Sequence, residues 1–323
     1  MAPRLARRIG ALGCAVLVPL VGAAASTAAP TPAAKRMPAR VAAPNDALWS
    51  SQWGVRAEGG PALWRWGRGS RKTIVAVVDT GVDASHPELH GSLVAGWNAL
   101  ANNNDTHDEN GHGTLVAGIV AARANNRAGI AGYCSACAIM PVKVMDASGR
   151  GSGTTIAAGI NWAVAHGATV LNMSFTLDDP DSSVQAAVAN AVAHNVLVAA
   201  AAGNTAGTQP RYPAAYPGVI SVGGVDPDDV LYPWSTFGAW VTASMPGCNE
   251  TTSADAGYTE FCGSSSATAA MSGLLALAVS DAPQARPALL SLLVRSEVQP
   301  ARRVDGRAFI AAAVRLDRIR RRG

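Results

Sequence analysis

Charge is scarce in this sequence. Asp, Glu, Lys and Arg make up 15 % of its 323 residues, against 49 % hydrophobic ones, a balance that excludes a self-repelling disordered polymer and provides for a sizeable core. One large domain accounts for the length, and two smaller ones would also fit it. The net positive charge lies at the ends. The formal +4 falls to +1 without Arg4, Arg7 and Arg8, and residues 315–323, with five Arg and Asp317, hold +4, so the body between carries −3. No basic face for nucleic acid is implied, only a basic C-terminal tail.

Long apolar runs are also few. The first, Ile9 to Ala25, follows Met-Ala-Pro-Arg-Leu-Ala-Arg-Arg and ends in small residues at Ala23–Ala25 or Ser26–Ala28. A positive start, an apolar middle and an Ala-x-Ala end describe a secretory signal, and Pro19 and Gly22 interrupt the run as a retained anchor. Residues 1–28 are therefore expected to be a signal peptide, followed by a flexible spacer or short pro-segment over 29–45, rich in Ala, Pro and basic residues. The second run, Ala267 to Val279, has thirteen residues, too few for a membrane span, so no stable membrane insertion is expected once the signal is gone.

Cysteine is the third scarcity. Of five, Cys14 would leave with the signal, and Cys134, Cys137, Cys248 and Cys262 remain. An even count in an exported chain points to two disulfides, the local pairing Cys134 with Cys137 and Cys248 with Cys262 being one of three connectivities. Four zinc ligands are the competing reading, weakened because thirteen residues separate the second pair and zinc-knuckle spacing is missing. No metal site is assigned.

The strongest positive signal is Gly263 to Ser280. After its serines it is apolar on every face, which a surface helix cannot be, so it reads as a helix buried inside a large domain. Ser and Thr at a helix start can merely satisfy the first free N–H groups. Three serines after a glycine exceed that need, and a helix N-terminus favours the negative charge that develops in acyl transfer. The rest of the chain alternates strand with helix. Thr73 to Asp79, Ala138 to Met145, Ala168 to Asn172, Val196 to Ala202, Val219 to Val225 and Ala239 to Ala243 read as strands. Between them lie amphipathic helices, marked for example by Ile156, Ile160, Ala163, Val164 and Gly167 on one face. This predicts an α/β fold, with a mostly parallel central sheet covered by helices on both faces.

Asp79 closes the first strand, where open α/β sheets carry functional groups. His112 stands between two glycines before an apolar helix, Gly203-Asn204 closes the fourth strand, and Ser265 lies in the serine run. Each has a plain alternative: Asp83 rivals Asp79, His86 and His107 rival His112, Asn204 could form a simple turn, and Ser264 and Ser266 rival Ser265. Asp, His and Ser nonetheless fall in one of the chain orders on which the same catalytic geometry is built.

The local sequences Val-Ala-Val-Val-Asp79-Thr-Gly, Asn-Gly-His112-Gly-Thr-Leu-Val-Ala-Gly, Ala-Ala-Ala-Gly-Asn204 and Gly-Ser-Ser265-Ser-Ala-Thr resemble the subtilase family of serine endopeptidases, over roughly residues 45–295. The family's Gly-x-Ser-x-Ala pattern selects Ser265. The resemblance implies a secreted, subtilisin-like endopeptidase with Asp79, His112 and Ser265 as catalytic triad and Asn204 as oxyanion donor. It would act on polypeptides as a monomer, and the catalytic domain is expected over 46–314. Ser174 and Phe175, with Gly149 on the opposite edge, resemble the strands that hold an extended substrate. Arg211 and Tyr212 match the wall of the first specificity pocket, where an inward Arg211 would favour an acidic residue before the cleaved bond. No cofactor is needed for the chemistry. Structural calcium is a family accessory, for which Asn102–Glu109 and Asn125–Asn126 offer oxygens, but they lack a fixed ligand spacing and solvated loops are the better reading.

The chain departs from the family in places. Ser266, Ala269 and Ala270 replace its Met, Pro and His, Leu115 replaces its second His after His-Gly-Thr, and no folding pro-domain is evident before Trp49. These departures motivate an alternative, a catalytically inactive subtilase fold serving as a binding or scaffold protein. An ester hydrolase would want Gly-x-Ser-x-Gly, and Ala267 occupies its last position.

Overall fold

The computed structural model describes residues 41–298 and 301–322. The expected signal peptide, Cys14 and most of the spacer lie outside the described residues. In chain order the helices are α1 (Trp53–Ala57), α2 (His112–Ala121), α3 (Gly153–Ala165), α4 (Ser182–Ala193), α5 (Ser264–Asp281), α6 (Leu289–Arg295) and α7 (Gly306–Arg320). The strands are β1 (Ile74–Asp79), β2 (Trp97–Asn98), β3 (Ala138–Lys143), β4 (Val170–Met173), β5 (Leu197–Ala201), β6 (Val219–Val225), β7 (Ala243–Pro246), β8 (Cys248–Thr252), β9 (Tyr258–Cys262), β10 (Glu297–Val298) and β11 (Arg303–Val304).

Nine strands form one sheet in the order β10-β11-β7-β6-β5-β4-β1-β3-β2, parallel throughout except for the edge pair β10–β11. The period-2 alternation of a strand divides its side chains between two cores. Val75 and Val77 of β1 join the core against α2, α5 and α7, while Ala76 and Val78 join the one against α3 and α4. Because both faces are covered, β1 up to Asp79 and β5 read as continuous apolar runs. The expected mostly parallel sheet with helices on both faces is what the chain forms.

The core helix is longer than its apolar run. Fifteen of the eighteen residues of α5 are buried, Ser265 being the exception in its first turn. Small side chains, Ala267, Ala269, Ala270 and Gly273, let it lie close against its neighbours. The strand expected at Ala239–Ala243 forms later, as β7, and Trp240 before it packs partly buried against the core with its indole N–H donating to Thr208 O (3.0 Å). The antiparallel hairpin β8–β9 had no clear period-2 signal, and it places Cys248 opposite Cys262. Both expected disulfides are present, Cys134–Cys137 and Cys248–Cys262. The tail expected at 315–323 begins inside α7, which continues to Arg320 with Phe309, Ile310 and Ala313 fully buried. No helix among the described residues is long and apolar enough to cross a membrane.

Candidate active site

β1 ends at Asp79, fully buried, and α2 begins at His112, whose ring is 27 % exposed; Nδ1 of the imidazole lies 2.7 Å from Asp79 Oδ1. The same oxygen accepts the Thr80 backbone N–H (2.8 Å), while among the described residues Asp79 Oδ2 has no hydrogen-bond partner. The close approach of α2 to β1 depends on Gly113, because a Cβ there would collide with the Gly81 carbonyl. Burial pushes the His112 pKa down, but the charge of Asp79, its hydrogen bond and the charge of Asp108 outweigh this, and the net shift is upward from 6.5. His112 is thereby a base that gains its proton more readily than a free histidine.

Asp108, read from the sequence only as part of an oxygen-rich, solvated loop, is instead the clasp between these two elements. Its Oδ1 accepts from Thr80 Oγ1 (2.8 Å) and Gly111 N (2.8 Å), and its Oδ2 from Thr114 N (2.8 Å) and Thr114 Oγ1 (2.6 Å). One carboxylate thus ties the residue after Asp79 to the first turn of the His112 helix. Lys143, at the end of β3, adds a second tie, donating to the Thr80 carbonyl (2.5 Å) and to Glu109 (2.6 Å). The aspartate's position four residues before His112 was the one sequence signal available.

The three serines of α5 have different surroundings. Ser264 is buried, and its Oγ accepts the Gly203 N–H (3.1 Å); Ser266 is buried, and its Oγ accepts Asn249 Nδ2 (2.9 Å). Only Ser265 reaches solvent. Its hydroxyl donates to the Ser174 carbonyl (2.7 Å), and the Ser174 hydroxyl donates back to the Ser265 carbonyl (3.0 Å). No hydrogen bond among the described residues joins Ser265 to the imidazole. Behind this pair, Asn172 bridges β4 to α5, donating to Ser174 Oγ (2.9 Å) and accepting from Ser272 Oγ (2.9 Å). That bridge was not foreseen.

Asn204 is exposed, and its Oδ1 accepts the Ser264 N–H (2.8 Å). This fixes the amide so that Nδ2, which has no hydrogen-bond partner among the described residues, is free to donate. Gly263, at φ 138°, makes room for it, since a Cβ there would sit 3.2 Å from Asn204 Nδ2. The N–H of Ser265 is a first-turn donor that the helix leaves unpaired. Phe261 meets the His112 ring edge-on at 5.4 Å. It is carried by the β8–β9 hairpin, which the Cys248–Cys262 disulfide closes next to Gly263. Nothing in the sequence singled it out.

Around this centre, Ser174 and Phe175 follow β4 directly, and Leu177 pairs with Tyr212 through two backbone hydrogen bonds (2.5 and 3.0 Å). Gly149 occupies the turn Asp146–Arg150 at φ 72°, beside Asn110. Arg211 does not present a free charge. Its guanidinium pairs with Asp178 and donates to Thr205 Oγ1 (3.4 Å), while its stem and Thr176 flank Gly203.

The loops whose oxygens are of the calcium-binding kind, with solvated loops the better reading of them, use several of those oxygens in hydrogen bonds. Asn103 Oδ1 accepts from Asp105 N, Asp105 Oδ1 from His107 N, Asn125 Oδ1 from Asn45 N and Asn126 Oδ1 from Ala128 N, and Glu109 is taken by Lys143. Those side chains do not fit an oxygen cage for a cation. The one place among the described residues where three His, Cys, Asp or Glu ligand atoms converge is Cys248, Glu260 and Cys262, two of which are spent in the disulfide.

Residues 70–306 match the Subtilase family. Thermitase of Thermoactinomyces vulgaris is 39 % identical over 240 residues, 74 % of this chain and 86 % of that protein. The thermophilic serine proteinase of Bacillus sp. (strain AK1) is 37 % identical over 240 residues, which are 74 % of this chain and 60 % of that protein. Among solved structures, proteases from Pseudoalteromonas arctica PAMC 21717 superpose with a TM-score of 0.77 at 27 % identity, covering 84 % of this chain and 100 % of that one. A cold adapted subtilisin-like serine proteinase gives 0.66 at 28 % identity, covering 73 % and 88 %.

Proposed function

We propose that this chain, which belongs to the subtilase family and is a serine endopeptidase, cleaves polypeptides outside the cell by acyl transfer, with Asp79, His112 and Ser265 as its triad and Asn204 as oxyanion donor. The observation that carries this reading is the buried carboxylate 2.7 Å from the inner nitrogen of a partly exposed imidazole. Such a carboxylate holds the ring with its outer nitrogen bare and stabilises the imidazolium once it forms.

In this scheme rotation about one side-chain bond takes the Ser265 hydroxyl from the Ser174 carbonyl to His112 Nε2. Catalytic hydrogen bonds are often loose before substrate binds. The imidazole accepts the hydroxyl proton as Ser265 Oγ attacks the peptide carbonyl, and the negative oxygen is met by Asn204 Nδ2 and the Ser265 N–H. The imidazolium then gives its proton to the leaving amine, and water attacks the acyl-enzyme by the same route in reverse. Removing one oxyanion donor typically costs about a hundred- to a thousandfold in turnover. Ser174–Phe175 and the Gly149 turn would flank an extended peptide and pair with its backbone, which gives broad specificity. Arg211 and Tyr212 would line the first pocket.

A covalent serine-hydrolase probe tests the assignment. Wild type should be labelled and cleave casein, and Ser265→Ala should do neither. Equal labelling of both, or of neither, removes Ser265 as nucleophile, and absence of casein cleavage in a folded, labelled protein removes the endopeptidase mechanism. Secretion and a monomeric state complete the proposal.

A further inference from the structure

The basic C-terminal segment is built into the fold as a helix. Phe309, Ile310 and Ala313 anchor α7 to the core, which leaves its outer side carrying Ile319, 62 % exposed, among arginines. The single carboxylate of α7, Asp317, faces inward, accepting from the Gln284 N–H (2.7 Å) and pairing with Arg321 (2.5 Å). No ion pair among the described residues engages Arg315, Arg318, Arg320 or Arg322. A groove of about 710 Å³ lies between α6 and α7, with Leu292 and Leu316 in its lining beside Arg295 and Arg320. A second, of about 410 Å³, places Trp66 beside Arg318 and Arg322. Arg315 and Ile319 line both, so α7 stands as a ridge with an apolar, basic trough on each side.

We propose that the α7 ridge docks this protein on the anionic surface of a phospholipid bilayer, with the arginines against lipid phosphates and Ile319 in the boundary between headgroups and acyl chains. Cationic side chains around exposed apolar ones are the composition of an interfacial helix. The chain's own N-terminal residues are a poor occupant. The charged residues among 1–40, Arg4, Arg7, Arg8, Lys35, Arg36 and Arg40, are all basic, and like charges repel. An acidic peptide would fill one groove, whereas here charge lies on both flanks of a convex ridge. A soluble polyanion would gain nothing from an exposed isoleucine. Docking of this kind does not depend on the catalytic reading.

The test uses the full chain carrying Ser265→Ala, so that no proteolysis intervenes. It is sedimented with vesicles of phosphatidylcholine containing roughly a third phosphatidylglycerol, at about 0.1 M salt. Binding to these, and not to phosphatidylcholine alone, is expected. The pair Arg315→Gln and Arg318→Gln should lower the partition coefficient about thirtyfold, and Ile319→Ser should lower it roughly tenfold. These side chains point outward, so the melting temperature of each variant should match its parent. Partition equal to that on neutral vesicles overturns the proposal. So does a partition unaffected by Ile319→Ser and abolished by polyphosphate, which would make the ridge a general polyanion site. A dimer dissociated by Ile319→Ser, with no vesicle binding, would make the occupant a second copy and likewise overturn it.

Discussion

Replacing Asp79 by Asn separates the two services a buried carboxylate can render to an imidazole, orientation and charge. Oδ1 accepts two hydrogen bonds, from His112 Nδ1 (2.7 Å) and from the Thr80 N–H (2.8 Å), and Oδ2 accepts none among the described residues. The Thr80 N–H can only donate, so the amide oxygen of Asn should take the Oδ1 position and the NH₂ group the Oδ2 position. The imidazole would then keep its orientation and tautomer while losing the negative charge. At a charge separation of about 4 Å and an effective dielectric near 20, that charge is worth about 4 kcal/mol to the imidazolium. A loss of roughly a thousandfold in kcat/KM follows. The charge and hydrogen bond of Asp79 also help raise the His112 pKa above 6.5. With the neutral ring as the proposed base, activity should rise as pH passes through that raised value, and in Asp79→Asn this limb should move to lower pH. The assay is kcat/KM against pH on a peptide substrate, corrected for folded fraction, since the buried NH₂ costs about 1–3 kcal/mol of stability. A loss under tenfold with an unmoved limb would refute the reasoning.

Three further predictions follow from the same geometry. Asp108→Asn leaves the two Thr114 donors or the Thr80 and Gly111 donors facing an NH₂ group, so about 3–5 kcal/mol of stability should go; the acidic limb should also shift downward, because Asp108 helps raise the His112 pKa, and a melting temperature within a degree of wild type would sink the clasp. Opening Cys248–Cys262, whose partners are 14 residues apart, should cost about 3 kcal/mol by chain entropy and lower kcat more than KM, since Phe261 and Gly263 lose their anchor; thermal melts with and without reductant, beside the Cys248→Ser/Cys262→Ser variant, measure it. Asp178→Asn frees the charge of Arg211, so cleavage after Glu relative to Leu should rise up to about fivefold, the range of an exposed ion pair, and an unchanged ratio in a peptide library would place Arg211 outside the pocket.

What the sequence determined by itself was whatever rests on short-range pattern. Apolar, β-branched runs made β1, β4, β5 and β6 visible, and an all-round apolar run marked α5 as interior, because burial on both faces leaves no polar alternation. Asp79, His112, Asn204 and Ser265 stood out as candidates because each lies at or near an element's end within two residues of a glycine. The family pattern picked Ser265 from three adjacent serines, but why it alone reaches solvent was decided by tertiary structure, where Gly203 and Asn249 take up Ser264 and Ser266. It decided that Arg211 meets Asp178, that Asp108 clasps two elements instead of offering its oxygens to a cation, and that the basic tail becomes a helix. These outcomes turn on partners tens of residues away, and a chain's linear pattern carries information about contacts of that range only after packing has chosen which side chains face one another.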